Sequence, residues 1–186
     1  MKRLFTVILF FVSMYSYSQC VSNQSYTTTP VGPYSPGQVV VVNYTLGNFT
    51  GININWIHAF QINLGPGWTN LIPISTPGNP AGSAGNWLWD IQHTYPGGFN
   101  FGPGWRFENT GNVNWGTGSS GPFTMSFQVT VVSTCNPEDL SINIEVFDDC
   151  STGGWSNGGC CLDPPYQIYN GVVQIPPIVT SSINHY

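Results

Sequence analysis

Two copies of Gly-Pro-Gly-Trp, at residues 65–68 and 102–105, each set an indole directly behind a turn. Proline has no N–H to give a ladder and glycine reaches backbone angles closed to other residues, so the tetrapeptide stops a strand and gives the next side chain a fixed direction. An indole held that way either caps a β-core or offers a flat face to a ligand. Trp56, Trp87, Trp89, Trp115 and Trp155 raise the total to seven. Indole and phenol faces stack on the C–H faces of sugar rings, while Asn, Asp and Gln side chains match sugar hydroxyls. Glycan recognition is therefore the chemistry this residue set suits. Trp56, Trp87 and Trp89 lie on apolar strand faces and are expected in the core, whereas Trp115 and Trp155 lie in loops and are expected at the surface. Trp68 follows Leu64, the end of an apolar face, and is expected to cap the core from its rim. Trp105 has Arg106 and Glu108 beside it and is expected to be the exposed platform. The candidate binding set is thus Trp68, Trp105, Arg106, Glu108, Trp115 and Trp155.

Catalytic chemistry is harder to assemble. Hydrolysis of a glycosidic bond needs two carboxyl groups across one cleft. Asp90 and Glu108 are the pair to propose, yet Glu108 is expected to pair with Arg106 instead. There is no HxH or HExxH spacing. His58 has apolar neighbours on its strand face and is expected to be buried and hydrogen-bonded; His93 and Asp90 fall on opposite faces of their own strand. No catalytic residue and no metal site is assigned. Calcium is the one cofactor alternative, through Asp148, Asp149 and Asp163, but the DxDxDG-type loop is absent.

The N-terminus reads as an export signal over residues 1–18. Lys2 and Arg3 precede an apolar run from Leu4 to Met14, and Ser16-Tyr17-Ser18 supplies a small-x-small site before Gln19. The run is shorter than the roughly 20 residues a membrane span requires, so no membrane insertion is expected after its removal. Two of the three basic residues leave with the signal, so Arg106 alone faces eight Asp and Glu, a formal net charge near −7. Such a chain cannot neutralise a row of phosphates, which excludes nucleic acid and anionic membrane surfaces as partners. The expected location is secreted or cell-surface. The five cysteines, Cys20, Cys135, Cys150, Cys160 and Cys161, suit an oxidising compartment and allow two disulfides with one thiol left over, in a connectivity that the spacing leaves open. A lipoprotein with Cys20 acylated is the alternative: it would leave four cysteines to pair evenly, but Gln19 and Tyr17 suit lipidation poorly.

The elements that must position these groups show period-two alternation and no sustained helical period. A β-branched run spans Val39 to Tyr44. From Asn53 to Leu64, residues Ile54, Trp56, His58, Phe60, Ile62 and Leu64 share a face. Trp87 to Tyr95, Phe123 to Val131 and Leu140 to Val146 alternate in the same way, and short strands are expected near Tyr166 to Tyr169 and Val172 to Ile175. Gly- and Asn-rich loops separate them, at Pro77 to Asn86, Asn109 to Gly121 and Asp148 to Pro165. The expectation is an all-β fold, a single antiparallel β-sandwich, Ig-like or jelly-roll-like, over residues 19–175. Residues 176–186 are expected as an extended tail.

The string from Asn55 to Leu71, NWIHAFQINLGPGWTNL, resembles a Trp- and Gly-rich module of secreted and cell-surface Bacteroidota proteins. The likeness extends to Tyr34-Ser35-Pro36-Gly37, to Asn86–Trp89, to the second Gly-Pro-Gly-aromatic turn, to Thr134–Leu140 and to the Trp155–Cys160 loop, and so covers about residues 34–169. Such modules often sit in long surface polypeptides that carry gliding-motility or type IX secretion sorting domains. The resemblance implies surface localisation and a binding or adhesive role without a reaction. This chain departs from it in leaving no room for a sorting domain after its last strand. It also departs at Asn43 and Ser126, where the resemblance implies a cysteine pair on neighbouring strands. The reading is an extracellular binding or adhesion module that contacts glycans or surface proteins through aromatic and Asn-rich loops. The alternative is a subunit of a surface fibre or matrix that self-assembles by strand addition; a glycan-active enzyme comes third.

Overall fold

Period-two alternation governs the chain, and the computed structural model, which describes residues 20–50, 55–79, 82–95, 98–112, 115–134, 136–149 and 164–175, contains strands and no helix. In order they are β1 (Val21–Thr29), β2 (Val39–Phe49), β3 (Ile57–Leu64), β4 (Trp68–Ser75), β5 (Gly85–Asp90), β6 (His93–Thr94), β7 (Asn100–Phe101), β8 (Gly104–Asn109), β9 (Phe123–Val131), β10 (Ile142–Asp148) and β11 (Tyr166–Tyr169). Antiparallel pairing builds a four-stranded sheet in the order β1-β2-β9-β4, a five-stranded sheet in the order β11-β10-β3-β8-β5, and a small β6-β7 ribbon.

The inward faces of the two large sheets form one core. Val40, Val42, Tyr44 and Leu46 of β2 and Phe123, Met125, Phe127, Val129 and Val131 of β9 are all buried. Aromatic contacts bridge the gap: Tyr44 to Phe60 at 6.2 Å, Phe60 to Phe123 at 6.0 Å and Trp87 to Phe123 at 6.0 Å between ring centroids. This is the antiparallel β-sandwich expected from the alternation. Asn43 and Ser126 are direct register partners across β2 and β9.

The two Gly-Pro-Gly turns use glycine differently. The first carries the chain from β3 in one sheet to β4 in the other. Its Gly65 and Gly67 amides donate to the carbonyls of Ser141 and Asp139, each at 2.8 Å, and a Cβ at either position would collide with the Asp139 carbonyl. Close approach, not an unusual backbone angle, is what requires glycine there. The second joins β7 to β8 and adds a backbone requirement: Gly102 takes a φ of 113° that disfavours a side chain, and a Cβ on Gly104 would collide with the Phe60 carbonyl.

The alternation from Trp87 to Tyr95 does not form one strand. Trp87 and Trp89 face the core from β5, but the chain breaks at Ile91, which is 77% exposed, and β6 turns back over the outer face. Val172 to Ile175 forms no strand: it makes an isolated bridge, Asp139 to Val172, and donates from the Val173 and Gln174 amides to the Glu138 and Tyr34 carbonyls. β1, β4 and β8 carry no clear alternation in sequence and are additions to the expected set.

Candidate functional site

His58 sits at a β-bulge. The register between β10 and β3 pairs Phe147 with Ala59 and then Asp148 with Ile57, leaving His58 over. The extra residue turns the imidazole away from the main core, where simple alternation put it beside Phe60, and toward the outer face of the five-stranded sheet. Ile57 takes the inward place. On that outer face the β6-β7 ribbon covers a second small core of Ala59, Tyr95, Phe101 and Phe147. His58 is fully buried there, with Nε2 2.7 Å from the Tyr95 hydroxyl, so the expectation of a buried, hydrogen-bonded histidine holds on the opposite face. Burial and, after it, the nearby Arg106 guanidinium lower the His58 pKa to about 3, while burial pushes the Tyr95 phenol up. His93, half-buried beside Tyr95, is lowered by the same two causes.

Arg106 anchors the charged part of this face. Its Nε donates to Asp90 Oδ2 at 2.8 Å, and its Nη2 lies 3.8 Å from Glu108 Oε2. Both carboxylates proposed for hydrolysis therefore face one cation, and Glu108 pairs with Arg106 as expected. Trp105 overturns its expectation. It is 1% exposed, paired with Phe60 in register and packed edge-on against Trp89 at 4.7 Å. The physical reason is strand phase: Arg106 and Glu108 cannot share a face with both of their odd-numbered neighbours, so the polar pair points out and Trp105 points in. Trp105 is not a platform.

Trp68 caps the core as expected, with its Nε1 donating to the Leu140 carbonyl at 2.8 Å and its ring 5.5 Å from Tyr34. Trp115 is half-buried rather than free, because it stands edge-on to Trp56 at 5.3 Å; Trp56 in turn is only half-buried, at the margin of the core. Asp149 pins this pair. Its Oδ1 accepts from the Trp56 amide at 2.8 Å and its Oδ2 from the Gly116 amide at 3.0 Å, so the carboxylate proposed for calcium is engaged by backbone. Among the described residues no group of three His, Cys, Asp or Glu is placed to hold a metal. Trp155, Asp163, Cys135, Cys150, Cys160 and Cys161 lie outside the described residues. Cys20 is buried and disulfide-bonded.

The outer face of the four-stranded sheet is of another kind. Strands β1, β2, β4 and β9 contain no Asp, Glu, Lys, Arg or His. Their register sets Thr27, Asn43, Ser126 and Ser75 in one row and Ser25, Thr45 and Thr124 in the next. Hydroxyls bond across the strands, Thr45 to Thr124 at 3.1 Å and Ser75 to Ser126 at 2.7 Å. The result is a solvent-facing plane of hydroxyl, amide and methyl groups, with Val39 and Ile72 about half exposed on it.

Beside this plane, where β1 meets β11 across the open side of the sandwich, tyrosines gather. Tyr26 stands edge-on to Tyr166 at 6.4 Å, Tyr44 lies 5.8 Å from Tyr166, and Tyr34 lies 5.0 Å from Tyr169. Two of these phenols bond to β1: Tyr44 donates to Gln24 at 2.6 Å and Tyr34 to Thr28 at 2.8 Å. A cleft of about 380 Å³ opens here between Tyr26, Thr27, Thr28, Val31, Gly32, Tyr34 and Tyr169. Sequence reasoning weighed tryptophan and passed over tyrosine. The readable signal was the spacing of Tyr166 and Tyr169 together with Tyr26 inside a polar stretch, but joining them requires the topology.

No family model, curated protein or solved structure matches the chain.

Proposed function

We propose that the protein is a non-catalytic extracellular binding module for neutral glycans. The observation that carries this reading is the segregation of charge. One sheet has no ionisable side chain apart from tyrosine, and its outer face carries the hydroxyls and amides that pair with sugar hydroxyls. A phosphate, sulfate, uronate or amine ligand would give up water there without gaining a counter-charge, which is costly. The net acidic chain repels polyanions as well. Asp90 and Glu108 both face Arg106, which supports a role without acid–base chemistry. The disulfide at Cys20 supports export to an oxidising compartment, and a sulfur so bonded is not available for a lipid thioether.

The test is retention of the purified protein on insoluble cellulose, xylan and chitin against alginate and polygalacturonate, with salt varied. Retention on a neutral polymer that persists in molar salt is expected. Exclusive retention on the acidic polymers, released by salt, would defeat the reading.

A second reading has its own observation. β1 is an edge strand of nine residues without a charge, and charged side chains are a usual device against strand addition. A surface-fibre subunit assembling through β1 would use that edge. Concentration-dependent assembly abolished by Ser25→Lys would favour it.

A further inference from the structure

We propose that the tyrosine cleft between β1 and β11 is a subsite for one or two rings of a neutral sugar; this deepens, and rests on, the glycan-binding reading above. Its volume of about 380 Å³ falls at the lower end of small-ligand sites, which start near roughly 300 Å³. Its lining offers aromatic faces and hydroxyls and no charge. A pyranose presents the complement, with axial C–H groups to lie on a phenol ring and equatorial hydroxyls around its rim.

The cleft is built, not incidental. The Tyr169 ring is held between two glycines: a Cβ on Gly32 would stand 3.3 Å from its Cε2 and hydroxyl, and a Cβ on Gly171 would collide with its hydroxyl. Tyr34, buried behind it, fixes the tilt of the ring at 54°. Tyr169 is thus a pre-set platform, and binding there orders little that is not already ordered. Tyr26, 40% exposed, forms the opposite wall, and Val31, 79% exposed, stands at the rim.

Hydroxyls of Tyr34 and Thr28 line the cleft and are linked to each other. Tyr34 donates its phenolic proton to Thr28 Oγ1 at 2.8 Å, which leaves the Thr28 proton to donate elsewhere and strengthens it as a donor. A sugar oxygen in the cleft can accept that proton. Burial and the Tyr34 and Tyr26 phenols raise the Tyr169 pKa, so its hydroxyl stays protonated and can also donate.

One competing occupant belongs to the chain itself. The Gln174 amide donates to the Tyr34 carbonyl at 2.8 Å, so the last described stretch of the chain is tied to a residue of the cleft, and the segment 176–186 is the occupant to test against a sugar. Calorimetric titration of the full exported chain with cellohexaose, xylohexaose, mannohexaose and chitohexaose, beside hexagalacturonate, decides between them. Binding of a neutral probe, weakened at least tenfold by Tyr26→Ala and restored by Tyr26→Phe, is the expected result; Gly32→Val, which drives a side chain against Tyr169, is expected to abolish it. Binding that survives both Tyr26→Ala and Gly32→Val overturns the subsite and leaves the glycan reading standing. Absence of binding to every neutral probe, by the full chain and by a chain ending at Ile175, overturns both. Binding that emerges only when residues 176–186 are removed assigns the cleft to the tail and also overturns the subsite.

Discussion

The two large sheets share one core but present opposite outer faces. The five-stranded sheet, the ribbon over it and the segments on either side of β10 carry every described Asp, Glu, Arg and His, and the ribbon seals a second core against that face. The four-stranded sheet carries none of them, and its face of threonine, serine and asparagine meets water directly. Charge on the first is consumed internally: Arg106 holds Asp90 and Glu108, and Asp149 holds two loop amides. Arg106, Asp90 and Asp149 are engaged within the fold, while the uncharged face carries only hydroxyl and amide bonds along its surface. The glycan reading proposed above places its partner on the plain face rather than on the chemically varied one.

The comparison breaks most easily at Trp105. If the five-stranded sheet spends its residues on stability, Trp105→Ala opens a cavity between Phe60 and Trp89 and costs about 3–5 kcal/mol in denaturant unfolding. If Trp105 were instead a ligand platform, truncation would cost less than about 0.5 kcal/mol and abolish binding. An intact stability with lost binding would return function to the charged sheet.

Much of this division was legible in residue order, and the failures share a cause. Alternation located β9 and β10, and the β-branched run located β2, while the register of Asn43 opposite Ser126 agrees with the neighbouring strands that the resemblance implied. It misplaced His58, because a bulge shifts phase by one residue without any mark in composition. It missed β1, where polar residues occupy both faces of an edge strand. It misjudged Trp105, since flanking charges were weighed over strand phase. The tyrosine cleft joins residues more than a hundred positions apart, and only the placement of β11 across from β1 assembles it.

A smaller effect tests whether the second core is a structural seal. The His58 pKa falls from its ordinary 6.5 to about 3 in the folded chain, by burial first and then by Arg106, with Tyr95 and His93 as the other titratable neighbours. Between those values the unfolded chain binds a proton that the folded one refuses. Stability is therefore complete above pH 6.5 and declines as pH drops through the window, by up to about 1.4 kcal/mol per pH unit from this group. His58→Gln removes that contribution, so its unfolding free energy is expected to change less than that of the unsubstituted chain between pH 7 and pH 5. Parallel profiles would mean that the ribbon opens to let the imidazole ionise, and the face would then be accessible.

The smallest expected change probes the plain face. Thr45 and Thr124 share a hydroxyl–hydroxyl bond of 3.1 Å at the surface, where water offers each an equal partner. Replacing both by valine keeps the β-branched shape and the strand preference. Unfolding free energy is therefore expected to move by less than about 0.5 kcal/mol. Retention on a neutral polysaccharide, measured on the same variant, is expected to drop if that polymer extends from the cleft across this plane. A loss of stability above about 1.5 kcal/mol would place the hydroxyl rows among the structural elements, on a par with Arg106 and Asp149. The contrast between a face that holds the fold and a face left over for a partner would then be lost.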